Sequence, residues 1–216
     1  MRSLYNEPSA LIFYAMGKKT GGSSGGGTVV PPTGDWIVRV TDTVDGYFTQ
    51  EEMKHNAPFV WYYFRSKGWE ANPTIALLGN IEGESGFNPG LIEVGGGTTS
   101  AGPGRGLVQW TPGTVLMTEM RALFGTDEQW FDGNKQLACM WAEYEVATGL
   151  ASHPFEGQWI TTSSYPVSYE QWSHDTTHDL EWLVYAFMAN YLRPGTINHP
   201  ERVDYARKWA SFFIKG

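Results

Sequence analysis

Apolar residues recur along this chain at helical spacing in several blocks, separated by stretches with no period at all. Thr49-Gln50-Glu51-Glu52 has the form of a capping box, in which the threonine side chain and the glutamate three residues on satisfy each other's backbone N–H. It opens a predicted helix through Ala57, Val60, Trp61 and Phe64 that stops at Lys67-Gly68, with a kink expected at Pro58. A second helix is predicted to start with Asn72 as N-cap and Pro73 behind it, to bury Ile75, Leu77, Leu78 and Ile81, and to stop at Gly86. Further helices are predicted over 112–124 and over 127–149, the latter with Trp130, Leu137, Trp141, Tyr144 and Val146 inward and Glu143 and Glu145 on its solvated face. Another spans 179–192, capped by Thr177 or Asp179, and the last starts at Pro200 with Tyr205, Ala206, Trp209 and Phe212 on one face.

The aperiodic stretches are as informative. Gly21 to Gly27 is glycine and serine only, Pro31-Pro32 follows, and residues 17–34 therefore read as a linker. Trp36, Ile37, Val38 and Val40 suggest a short strand or extended arm laid against the domain. Residues 88–106 are glycine-rich with few apolar positions, a poor core and a good mobile β-hairpin. Residues 151–178 are polar and irregular and read as an insertion.

Composition narrows the class. The 216 residues suffice for one sizeable core with an appendage, and the aromatic content of 15% is high, most of it expected inside. A net charge of -8 argues against nucleic acid and against unaided attraction to an anionic surface. The lone Cys139 permits no internal disulfide and lies among apolar neighbours, a poor setting for a reactive thiol. Leu11 to Met16 is too short to span a bilayer and lacks a convincing cleavage site behind it.

The candidate chemistry lies at the end of the second predicted helix. Glu82 and Glu84 fall in its last turn, where the negative end of the helix dipole disfavours a carboxylate and burial would disfavour it further. Both effects favour a carboxyl that keeps its proton, as a general acid must. The helical wheel puts the two on opposite flanks of the apolar stripe. His174 and His178 have the spacing of a zinc-protease pair, but they precede the helix that would have to carry them, and Asp175 stands where a glutamate is needed. They read as polar loop histidines, and no metal or other cofactor is expected. The run Gly102-Pro103-Gly104-Arg105-Gly106 lacks the lysine and strand of a phosphate loop and reads as turn chemistry.

Glu84-Ser85-Gly86-Phe87-Asn88-Pro89 and Gly106-Leu107-Val108-Gln109-Trp110 resemble signatures of lytic transglycosylases and goose-type lysozymes. With Gly79-Asn80 before the first block, Gly90-Leu91 after it and Thr111-Pro112 after the second, the chain most resembles the phage tail lysozyme family. The resemblance covers residues 47–216 and implies an α+β, lysozyme-like domain, mostly helical with a small glycine-rich β-hairpin lobe, preceded by an N-terminal arm and linker over residues 1–46. It implies a peptidoglycan hydrolase of the virion, at the tail tip or knob, that cleaves the β-1,4 bond between N-acetylmuramic acid and N-acetylglucosamine. Glu84 would be the general acid, Glu93 and Thr99 candidates to handle water, and Ser85, Gln109, Trp110 and Tyr191 the substrate-binding residues. Members often carry Glu before the Arg-Pro that is here Arg193-Pro194, whereas this chain has Leu192. The expected partners are peptidoglycan and, through the arm, other tail proteins, with no nucleic acid and no membrane span. A lytic transglycosylase using the same acid, a non-catalytic wall-binding or tail-structural module, and a zinc peptidase at His174 and His178 stand as alternatives.

Overall fold

A computed structural model describes residues 29–95 and 102–214 of the chain. Seven α-helices are present among them: α1 (Gln50–Ser66), α2 (Ala71–Ser85), α3 (Thr114–Phe124), α4 (Gly133–Thr148), the short α5 (Tyr169–Ser173), α6 (Leu180–Phe187) and α7 (Pro200–Phe213). A π-helical turn, Met188–Leu192, continues α6. Strand-like pairing among the described residues is confined to isolated bridges: Thr41 with Leu91, Ile92 with Arg105, and Arg105 with Trp110. The fold is thus mostly helical, in keeping with a lysozyme-like architecture.

The helices form where local chemistry directs, with a few shifts. Both halves of the capping box at Thr49 and Glu52 are made, and Pro58 is accommodated inside α1. α2 begins earlier than predicted, with Glu70 at its N-cap making no side-chain bond, so Asn72 and Pro73 fall inside its first turn. Its stop is as expected: Gly86 takes the left-handed conformation at φ 57° and its N–H returns to Glu82. α4 starts after the predicted position because the Asp132 side chain accepts from the N–H groups of Asn134 and Lys135, which ends the preceding turns and opens the helix there. Of the two cap candidates before α6 it is Asp179 that accepts from Trp182 N–H.

α2 is the central helix. It packs most extensively on α7 and then on α6, with α1 against its other side. Gly79 and Gly83 allow the approach of α7. A Cβ at Gly79 would lie 2.6 Å from the Arg202 carbonyl oxygen and 2.7 Å from Ala206 Cβ, and one at Gly83 would lie 2.9 Å from Arg202 Nε. The buried stripe of α7 is consequently Arg202, Val203, Ala206 and Trp209, rotated from the predicted face, and Phe212 stays 46% exposed.

Aromatic residues build most of the remaining core. Trp69 is fully buried, stacked on Phe64 at 4.2 Å between ring centres, with Trp172, Tyr169 and Tyr144 around it at 5.5–5.6 Å. Tyr169 and Trp172 come from α5, so the stretch predicted to be an irregular insertion supplies core through a helix with its own capping box at Ser168 and Gln171.

The extended segment around Trp36 lies on this body. Two buried asparagines hold it. Asn56 accepts from Ile37 N–H at 3.0 Å and donates to the Ile37 and Phe87 carbonyls, while Asn88 accepts from Arg39 N–H and Gly90 N–H and donates to the Arg39 and Gly46 carbonyls. Every side-chain donor and acceptor site of Asn88 is used, which is what permits its complete burial.

Candidate active site

Glu84 stands in the last turn of α2 with its side chain 17% exposed and its Oε1 2.7 Å from Arg202 Nη1. Burial raises its pKa above the ordinary carboxylate value, Arg202 and His199 oppose the rise, and Glu93 adds to it. The balance is a carboxyl that holds its proton to higher pH than a free glutamate does, with a cation in contact to stabilise the anion once the proton leaves. Arg202 is itself held in place, donating to the buried Asn80 at 3.3 Å. Asn80 in turn donates to the Ala76 and Val184 carbonyls, tying α2 to α6 behind the acid.

Glu82 has the opposite fate. It is 7% exposed and spent on structure: Trp209 Nε1 donates to it at 2.7 Å, Gln50 at 3.4 Å, and Lys208 forms an ion pair. The opposite flanks expected from the helical wheel are therefore real, and they divide one glutamate toward α1 and the far end of α7 from the other toward the start of α7.

The second motif is fastened to the first through Ser85, whose buried hydroxyl donates to the Leu107 carbonyl at 2.9 Å. Beyond Leu107 the chain lines a cavity of about 210 Å³ with Val108, Gln109, Trp110 and Thr111, together with Gln158, Tyr191, Leu192 and Arg193. Three of the expected substrate residues thus share one pocket, although Trp110 and Tyr191 show it only an edge, at 3% and 2% exposure. Gln109 directs its amide N–H groups to the Leu91 and Gly106 carbonyls. Leu192 lines the same pocket.

Among the described residues, three that are not glycine have positive φ: Phe87 at 63°, Gln109 at 49° and Arg193 at 50°. One follows the acid's helix and the other two line the pocket. Such conformations cost on the order of 1–3 kcal/mol and cluster where a site must be shaped.

Glu93 is exposed, and its carboxylate accepts from Gly104 N–H at 2.8 Å while its own N–H bonds the Gly104 carbonyl at 2.9 Å. The acidic side chain is therefore held against the opposite limb of the loop. Thr99 lies outside the described residues.

Two glutamates belong to the pocket's foundation, one of them expected elsewhere from the sequence. Glu143, expected on a solvated helix face, is fully buried, because Trp110 Nε1 donates to it at 2.8 Å and the Tyr191 hydroxyl contacts its other oxygen. Glu119 is 1% exposed beside it. Glu145 does reach the surface, where it takes bonds from Trp141 and His153. His178 is paired with Asp175 at 2.6 Å and stacked on Trp182, whereas His174 turns to Ser173 and the Glu170 carbonyl. No group of three metal-ligating side chains occurs among the described residues, and none of their helices is long and apolar enough to cross a membrane. Cys139 is buried, and burial pushes its thiol far above the usual range.

The family model described as phage tail lysozyme matches residues 55–213. Morphogenesis protein 1 of Bacillus phage B103 is 31% identical over 166 residues, covering 76% of this chain and 41% of that protein. The chain therefore spans about two fifths of the length of that relative.

Proposed function

This chain belongs to the phage tail lysozyme family, and from that membership and the placement of one carboxyl we propose that it cleaves the β-1,4 bond between N-acetylmuramic acid and N-acetylglucosamine with Glu84 as general acid. The observation that carries the reading is Glu84 itself: a largely buried carboxyl at a helix end, its proton retained by burial, in contact with Arg202 and joined through Ser85 to the loop that opens the pocket.

Glu84 protonates the bridging oxygen as positive charge develops on the departing sugar ring, and Arg202 stabilises the carboxylate that remains. Glu93, with Thr99, directs the water that completes hydrolysis. The loop over 88–106 acts as a glycine-rich β lobe beside the cleft, with Gln109, Trp110 and Tyr191 placing the sugar. In the virion the enzyme sits at the tail tip or knob and opens the wall locally during infection. Tethering there supplies the local concentration that a net charge of -8 would not, and residues 1–46 serve as arm and linker to neighbouring tail proteins.

The test is release of soluble glycan from purified sacculi. Glu84→Gln should lower the rate by about 10²–10⁴-fold, the range for loss of a general acid, while leaving binding to sacculi in place. Equal rates for variant and wild type would remove Glu84 from the role. Binding with no release by either would favour a wall-binding module.

A further inference from the structure

The buried carboxyl pair Glu119 and Glu143 lies on α3 and α4, outside the acid's surroundings, and the reaction outlined above makes no use of it. Its surroundings limit where a proton can sit. The indole N–H of Trp110 can only donate, so Glu143 Oε1 must accept at 2.8 Å. The Tyr191 hydroxyl contacts Oε2 from the other side. Glu119 is 1% exposed, and its two oxygens meet no donor from any other described residue; they interact with Glu143. Two adjacent buried carboxylates cannot both be ionised, because each would lack solvation and repel the other. A proton on Glu119 would turn its otherwise unpartnered oxygens into a donor toward Glu143, beside the bonds that Glu143 receives from Trp110 and Tyr191.

Those donors come from three separate parts of the chain. Trp110 closes the second motif, Tyr191 belongs to the π-helical turn, and Glu119 lies on α3. Trp110 and Tyr191 both line the 210 Å³ pocket, and they are too buried to owe their orientation to solvent. We propose that Glu143 is a positioning residue that holds the segments carrying Trp110 and Tyr191, both of which line this pocket, relative to each other, with Glu119 as its third partner, and so sets the pocket's affinity for glycan. The inference rests on the reading that this pocket binds the glycan strand.

The experiment measures binding of a soluble tetrasaccharide of alternating N-acetylglucosamine and N-acetylmuramic acid to Glu84→Gln protein, which binds without turnover. Into that parent are placed Glu143→Gln, Tyr191→Phe, Glu119→Gln and Glu119→Leu. Glu143→Gln should weaken binding about tenfold or more, the scale of losing bonds to a charged acceptor, and should shift the Trp110 indole N–H resonance. Tyr191→Phe should weaken binding several-fold. Glu119→Leu should weaken it as well, whereas Glu119→Gln, whose amide can donate where the proton did, should restore it. Parent-like binding by folded Glu143→Gln would overturn the proposal. Should that variant not fold, parent-like binding by both Tyr191→Phe and Glu119→Leu would overturn it. A parent that binds no glycan defeats the functional reading and the inference together, while a binding parent with indifferent variants defeats the inference alone.

Discussion

Glu84 is placed under opposed influences whose balance sets its working range. Burial raises its pKa and Arg202, 2.7 Å away, lowers it, with the net shift upward. An acid catalyst is lost as pH rises through its pKa, so removing the cation should move that loss to higher pH. We predict that Arg202→Gln, which keeps a donor for Asn80 but no charge, shifts the alkaline limb of the pH–activity profile upward by about one unit or more. An unchanged or lowered limb would show that Arg202 does not act on the acid. The candidate acid could be picked out from the sequence because its motif is contiguous. Arg202 was hidden, because its partner is separated by 118 positions of chain and an arginine near the start of an amphipathic helix ordinarily faces water. Glu143 was hidden for a related reason: a glutamate on a helix reads as solvated until the donors that cover it, Trp110 and Tyr191, are brought there by other elements.

At the scale of elements, the contact between α2 and α7 decides whether the acid has its partner. Gly79 and Gly83 let the two helices approach until backbone meets side chain. Gly79→Ala would put a methyl 2.6 Å from the Arg202 carbonyl oxygen, and we predict a loss of stability of about 1–3 kcal/mol, checked by denaturant unfolding, with activity falling as Arg202 is displaced. A neutral or stabilising effect would contradict the close approach, since alanine is otherwise favoured in a helix by about 1 kcal/mol. Helix existence was readable from period and caps. Starts were less so, because Asn72-Pro73 satisfies a start rule although the helix begins two residues earlier, and α5 was missed because five residues carry too little period to stand out from a polar stretch. The rotation of α7 was also unreadable: its own pattern allows Phe212 inside, and only the glycine groove of α2 selects Arg202 and Val203 instead.

Across the whole molecule, the arm is divided by what holds it. Residues 36–41 are fastened by Asn56, Asn88 and the bridge from Thr41 to Leu91, while Trp36 stacks on Phe59 and bonds Asn134. Deleting residues 1–34 should leave the melting temperature within a degree or two, whereas deleting 1–46 should lower it by several degrees, through loss of buried bonds each worth about 1 kcal/mol and of the Trp36 contact. Equal melting temperatures would mean that the arm rests on the domain without stabilising it. The central claim, that the domain is a wall-cleaving enzyme with Glu84 as its acid, is tested most directly by mass spectrometry of the muropeptides left after digestion of purified peptidoglycan by wild type and Glu84→Gln. Reducing N-acetylmuramic acid ends are expected from the wild type and none above background from the variant. Anhydro ends would replace hydrolysis with transglycosylation by the same acid, and identical products at equal yield from both proteins would contradict the claim.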